Sequence, residues 1–102
     1  MEQTKDHNSI FIVQGDDKYE IVAPPTLIPR NEQEPRAGES VAIVTIFWTS
    51  NDKPPKAQSF PEAPQYGATE DEARSKGHDY GWKLVHSDIE GLKIGPSASS
   101  RQ

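Results

Sequence analysis

The stretch SVAIVTIFWT at residues 40–49 decides the fold of this 102-residue chain. It is rich in β-branched and aromatic residues, which favour strands, and it is far shorter than the roughly 20 apolar residues of a membrane-spanning helix. We therefore predict that it forms the central strand of a sheet. Successive side chains of a strand point to opposite faces, so one face carries Val41, Ile43, Thr45 and Phe47, and the other carries Ala42, Val44, Ile46 and Trp48. Both faces are apolar.

A β-hairpin is predicted upstream of this strand. The segments SIFIVQ at 9–14 and YEIVA at 19–23 have strand composition, and GDDK at 15–18 separates them. Glycine and aspartate are favoured in turns, and two such runs around a short loop are typical of a hairpin. Pro24 and Pro25 end the second strand because proline has no N–H to donate to a sheet.

Two proline-rich segments, at 24–39 and 50–68, flank the central strand. Connections of this length are uncommon in a compact domain. We expect a short edge strand near Ala57–Phe60, which would shorten the second connection.

Residues 69–86, TEDEARSKGHDYGWKLVH, have the pattern of an amphipathic helix. Thr69 followed by Glu72 is a capping box, in which each side chain can satisfy a backbone N–H at the helix start. Spacings of four, three and four place the candidate packing residues on one helical face. These residues are Ala73, Gly77, Tyr80 and Leu84.

The two glycines of this segment leave two interpretations open. Gly77 and Gly81 each cost a helix about 1 kcal/mol relative to alanine, so the segment could split into a helix ending at Lys76 and a strand over Trp82–His86. We favour one helix because the packing face continues through both glycines. A glycine at position 77 would also let the helix lie close to the sheet.

These elements predict an α+β fold. The expected architecture is a three- to four-stranded antiparallel meander sheet with one amphipathic helix packed on one face. Residues 1–90 would form a single small domain, and residues 91–102, which end in small polar residues, would form a flexible tail.

Composition argues against several classes of function. Eleven Lys and Arg against sixteen Asp and Glu give a net charge of −5, with no basic cluster of the kind that binds nucleic acid. The chain has no cysteine, which excludes disulfides, thiol nucleophiles and zinc sites built on sulfur. The polar start MEQTKDHNSI is unlike a signal peptide, so we expect a cytoplasmic protein without a membrane or nucleic-acid partner.

The residues that could carry chemistry are few and scattered. His78 and His86 are eight apart, which on a helix means a rotation of roughly 80° and a rise of about 12 Å, so they cannot share a metal ion. His7 lies in the polar start, and Asp16 and Asp17 lie in the predicted turn. We therefore predict no catalytic residue, no cofactor and no metal site. The alternative is a small ligand-binding protein or enzyme, with a pocket near Trp82, His78, His86 and Tyr66.

The apolar double face of residues 41–48 favours an interaction protein. One helix covers one face of a three-stranded sheet, and a large exposed apolar patch usually marks an interface. The proline-rich loops, a second copy or a different protein could cover the second face. We place self-association first, and the interface hypothesis rests on Val44, Ile46 and Trp48. The expected function is a non-enzymatic interaction or regulatory module that forms a homodimer.

The string YGATEDEARSKGHDYGWKLVHSDIEG at 66–91 resembles the helical part of small uncharacterised bacterial proteins of β-β-β-α layout. The resemblance spans about residues 9–90, and the proline-rich segments depart from it. It implies a continuous helix through Gly77, a bacterial source and no particular activity. The matching residues are Phe60, Thr69, Asp71, Glu72, Ala73, Gly77 and Gly81.

Overall fold

A computed structural model describes residues 7–30 and 35–95 of the chain. These residues form seven strands and one helix, in the order β1 to β7 followed by α1. The elements are β1 (Ser9–Gln14), β2 (Asp17–Val22), β3 (Pro25–Leu27), β4 (Ser40–Ala42), β5 (Thr45–Ser50), β6 (Lys53–Ser59), β7 (Gln65–Gly67) and α1 (Glu70–Val85). The predicted α+β class is confirmed.

The larger sheet, which we call sheet A, has four antiparallel strands in the order β1-β2-β5-β6. The predicted hairpin is confirmed as β1 and β2, with Gln14 opposite Asp17. Only Gly15 and Asp16 therefore form the loop. Gly15 has a φ of +62°, a conformation that glycine adopts without the steric cost of a Cβ atom.

A second sheet, sheet B, was not predicted. It contains β3, β4 and β7 in the antiparallel order β3-β4-β7. The stretch at 40–49 does not form one strand, because the chain leaves sheet B after Ala42 and enters sheet A at Thr45. Each strand of sheet B has only three residues, too few to produce a recognisable alternation in the sequence.

Strand β6 includes the edge strand expected near Ala57–Phe60 but begins earlier, at Lys53. Pro54 and Pro55 lie within it. Proline is tolerated at a sheet edge because its missing N–H is not needed by a neighbouring strand. The proline-rich connection is therefore shorter than the sequence indicated.

Helix α1 runs without a break from Glu70 to Val85, which confirms the single-helix interpretation. The hydroxyl of Thr69 accepts a hydrogen bond from the Glu72 N–H at 3.1 Å. The Glu72 carboxylate in turn accepts from the N–H of Ala68 at 2.9 Å, so the reciprocal bond reaches one residue further back than in a standard capping box. Within the described ranges, no helix is both long enough and apolar enough to cross a lipid bilayer.

The two glycines of α1 lie in close contact with residues of the sheets. A Cβ atom added at Gly77 would lie 2.6 Å from the Cβ of Ala23, and one added at Gly81 would collide with the side chain of Ile21. Ala73 and Leu84 are buried on the same side of the helix, whereas Tyr80 is only half-buried. The predicted packing face is thus correct at three positions, and Gly81 takes the place expected for Tyr80.

The core lies between α1 and the inner faces of the two sheets. Alternation along residues 42–48 points Ala42, Val44, Ile46 and Trp48 inward, and all four are buried. The chain after the helix completes the core, because Ile94 is buried and the Gln58 side chain donates to the Gly91 carbonyl at 2.9 Å. Residues 91–95, the start of the predicted flexible tail, thus lie packed against sheet A. The rest of that tail, 96–102, falls outside the described residues.

We predict that Gly77→Ala destabilises the protein even though alanine is the better helix former. The new methyl group meets the rigid Cβ of Ala23, and overpacking of this kind costs about 1–3 kcal/mol, against a helix-propensity gain of about 1 kcal/mol. The measurement is the free energy of unfolding in urea. Ser75→Ala, at an exposed position of the same helix, is the control and should be neutral or stabilising. Equal stabilisation by both changes would contradict the close contact.

Candidate interaction surface

The face of sheet A that points away from α1 is left uncovered by residues 7–30 and 35–95. We call it the open face. Its side chains come from alternate positions of the four strands, because Tyr19, Ile21, Ile46 and Trp48 occupy the opposite, buried face. The central part of the open face consists of Phe11, Val13, Lys18, Glu20, Val22, Thr45, Phe47 and Thr49.

Large apolar side chains are exposed on the open face, two of them on β1. Phe11 is 55 % exposed, Val13 67 % and Phe47 42 %. The ammonium group of Lys18 lies 4.8 Å from the centre of the Phe11 ring, which is within range of a cation–π interaction. Glu20 lies between Phe11 and Phe47 in the strand register and accepts a hydrogen bond from the Ser9 hydroxyl. The open face is therefore a mixture of apolar and charged groups.

Strand β1 lies at one edge of sheet A. The Ala23 N–H donates to the Asn8 carbonyl at 2.8 Å, which identifies Asn8 and Ala23 as a hydrogen-bonded pair. Because such pairs alternate with non-bonded pairs along an antiparallel ladder, Phe11 and Val13 form non-bonded pairs with Glu20 and Lys18. The backbone N–H and C=O groups of Phe11 and Val13 consequently point outward from the sheet edge.

Two side chains of α1 fix the start of β1 through Asn8. The His78 ring places Nε2 2.8 Å from the Asn8 carbonyl oxygen, so Nε2 carries the proton and donates. The Arg74 Nε donates to the Asn8 side-chain oxygen at 3.2 Å. The histidine therefore serves to position the edge strand.

The pocket expected near Trp82, His78, His86 and Tyr66 is only partly assembled. His78 and Trp82 line a shallow depression together with Ile10 and Asp79. The His86 ring packs on the Trp82 ring with centroids 4.1 Å apart. Tyr66 lies apart from them, under the Arg36 guanidinium at 4.0 Å. Three of the four residues are thus neighbours, but they sit on an exposed surface without an enclosed cavity.

One concavity beside α1 has titratable groups in its lining. A cavity of about 570 Å³ is lined in part by Lys83, Asp79 and Tyr80. Lys83 and Asp79 form an ion pair at 3.1 Å. Burial, with a further contribution from the Glu62 charge, raises the pKa of Tyr80 above 10.0, so its phenol stays protonated at neutral pH.

The three residues of the interface hypothesis, Val44, Ile46 and Trp48, lie under α1 and the C-terminal segment. A partner could reach them only by displacing that cover. The Trp48 side chain is also anchored by a hydrogen bond, because its Nε1–H donates to the Asp17 carboxylate at 2.9 Å. The large apolar side chains within reach of a partner are Phe11, Val13 and Phe47 on the open face, Trp82 on α1 and Leu27 in sheet B.

Sequence reasoning missed two features of this region. Asp17 was assigned to a solvated turn, whereas it belongs to β2 and holds the Trp48 indole. The β1 segment was identified as a strand, but nothing in its sequence said that it would be an edge.

His7 is exposed, and no group of three or more His, Asp or Glu side chains in the described ranges is placed to hold a metal ion.

Comparison with known proteins gives no relative. No family model matches the chain, and neither a curated protein nor a solved structure matches it. The resemblance to small bacterial proteins of β-β-β-α layout therefore stays a prediction.

We predict that Asp17→Ala destabilises the protein by about 1–3 kcal/mol, because it leaves the buried Trp48 N–H without an acceptor. Asp17→Asn is the matched control, since its amide oxygen can still accept the bond, and it should lose less than half as much. The measurement is the free energy of unfolding in urea for both variants. Equal losses would show that the carboxylate charge, and not the hydrogen bond to Trp48, is what matters.

Proposed function

We propose that this chain is a non-enzymatic protein-interaction module that self-associates through the surface around β1. The observation that carries the proposal is the coincidence of exposed Phe11 and Val13 side chains with outward-pointing backbone groups of the same residues. Exposed apolar groups and unpaired strand edges both favour association.

The size of the core supports association with a second copy. A chain of about 100 residues buries only some two-thirds of its unfolded surface, and this one is 32 % hydrophobic. Burial of Phe11 and Val13 against another chain would add apolar contacts that one chain does not supply. Two-fold dimers are the commonest soluble assemblies.

The site geometry gives less support to the alternative of an enzyme or ligand-binding protein. His78 is engaged with the Asn8 carbonyl, and His86 packs on Trp82 at the surface. Catalysis requires a nucleophile or a general base in a water-excluding site with a second group that orients it. Among the residues that the structure describes, no such arrangement occurs around His78 and His86.

The cellular setting is part of the proposal. Absence of cysteine agrees with a reducing compartment such as the cytoplasm. A regulatory role would be exerted by controlling the amount of the associated form.

We expect the protein at micromolar concentration to have twice the 11.3 kDa mass of one chain, measured by sedimentation equilibrium. Val13→Glu should shift it to the single-chain mass, because it places a charge where association requires apolar contact. The folded chain should tolerate this change, since Val13 is exposed and lies opposite Lys18.

Leu27→Glu is the matched control for this experiment. Leu27 is as exposed as Phe11, at 57 %, but belongs to sheet B, so its substitution should leave the mass unchanged. A single-chain mass for the unmodified protein up to 100 micromolar would refute self-association. An equal effect of both substitutions would refute the assignment of the surface.

A further inference from the structure

We infer that two copies join edge to edge, with β1 of one copy antiparallel to β1 of the other and Ile12 at the two-fold axis. The result is one continuous eight-stranded sheet. This inference rests on the proposed self-association and specifies which edge, which register and which atoms form the contact.

The two edges of sheet A differ in their capacity to accept a strand. At the β6 edge, the adjacent Pro54 and Pro55 remove an outward N–H donor, since one of the two positions faces away from β5, and Lys53 and Lys56 add charge. The C-terminal segment also runs beside β6, where the Lys93 N–H donates to the Gln58 side chain at 2.7 Å. Proline, lysine and covering chain are the usual means by which proteins prevent edge pairing.

The β1 edge has none of these protections within the described residues. Its sequence, SIFIVQ, contains no proline and no charged side chain. Because one edge is protected and the other is open, pairing through β1 uses the same patch on both copies. Such an isologous contact closes at two copies and does not propagate into a fibre.

The positions of the outward-pointing groups limit the register. A new strand must bond to Phe11 and Val13, whose backbone groups face away from β2. With Ile12 on the two-fold axis, Phe11 of each copy lies opposite Val13 of the other. Each such pair would exchange two backbone hydrogen bonds, as the bonded pairs of antiparallel strands do.

Side chains favour this register over the neighbouring one. On the open face, Phe11 and Val13 of both copies would form one apolar patch. Each row of side chains across the contact would run from Glu20 and Phe11 of one copy to Val13 and Lys18 of the other. Centring the axis on Phe11 instead would place Val13 opposite the polar Ser9. Aromatic residues paired with β-branched residues across strands stabilise a sheet relative to alanine pairs.

The inner side of the same edge also fits. In the Ile12-centred register, Gln14 of the second copy lies opposite Ile10. Ile10 and the 44 %-exposed Trp82 line the shallow depression beside this edge, so the aliphatic part of that glutamine would enter it.

Face-to-face packing of two open faces is the competing arrangement. It would bury Glu20, which lies between Phe11 and Phe47 in the strand register. Lys18 of the same face would be buried as well, and removing both charges from water is a cost that ion pairing seldom offsets. Edge pairing leaves Glu20 at the solvent surface.

The absence of cysteine permits a direct test by disulfide trapping. Ile12 residues facing each other at the axis would form a non-bonded pair with Cα atoms about 4.5 Å apart, which is within disulfide range. Ile12→Cys should therefore convert most of the protein to a covalent dimer under mild oxidation, read on a non-reducing gel. Phe11→Cys reports the neighbouring register, Phe47→Cys reports face-to-face packing, and Leu27→Cys measures random collisions.

Hydrogen exchange provides a second readout that needs no substitution. The amides of Phe11 and Val13 should exchange at least tenfold more slowly when protein concentration is raised from well below to well above the dissociation constant. The Ile12 amide, which points toward β2, should not change in this way.

The outcomes separate this inference from the proposed function. Efficient trapping through Ile12 with concentration-dependent protection of Phe11 and Val13 supports both. If the mass is dimeric but Ile12→Cys does not cross-link and the Phe11 and Val13 amides gain no protection, the register is overturned and self-association stands. The same holds if Phe11→Cys or Phe47→Cys cross-links in its place. A single-chain mass overturns both.

Discussion

The architecture depends on how closely α1 approaches the two sheets. Gly77 lies against Ala23 where sheet A passes into sheet B, and Gly81 lies against Ile21 one helical turn later. No larger residue fits at either position without movement of the sheet. This close contact allows one short helix to cover parts of two sheets, and it also keeps the core thin.

The thin core explains the distribution of apolar groups on the two sides of sheet A. Small residues at the centre of the contact allow Val44, Ile46 and Tyr19 to be fully enclosed by a single helix and the C-terminal segment. No second helix exists among the described residues to cover the other side. The open face therefore keeps both apolar and charged groups, which is a composition suited to reversible contact and not to a permanent interior.

The elements predicted correctly are those whose sequence has a hydrophobic periodicity or a local turn or capping signal. The hairpin, the continuous helix and the two alternating faces of residues 41–48 follow from alternation, capping and four-residue spacing. Sheet B did not follow, because three-residue strands such as β3 and β7 have no period to read. The role of Asp17 and the edge position of β1 depend on which strands become neighbours, and a single sequence does not state that. The interface hypothesis on Val44, Ile46 and Trp48 stays a prediction. These side chains lie on the buried face, and strand alternation alone does not indicate which face the helix takes.

The two tryptophans occupy opposite kinds of environment, and this gives the molecule two built-in optical probes. Trp48 is enclosed and hydrogen-bonded to Asp17, whereas Trp82 is in contact with water and with the His86 ring. An enclosed indole emits at shorter wavelength than a hydrated one. The emission spectrum of the folded chain should therefore have a blue component that reports the integrity of the core and a red component that reports the surface beside Ile10. Replacing Trp82 alone would leave the buried Trp48 as the single tryptophan, so unfolding could be followed without a tryptophan signal from that surface.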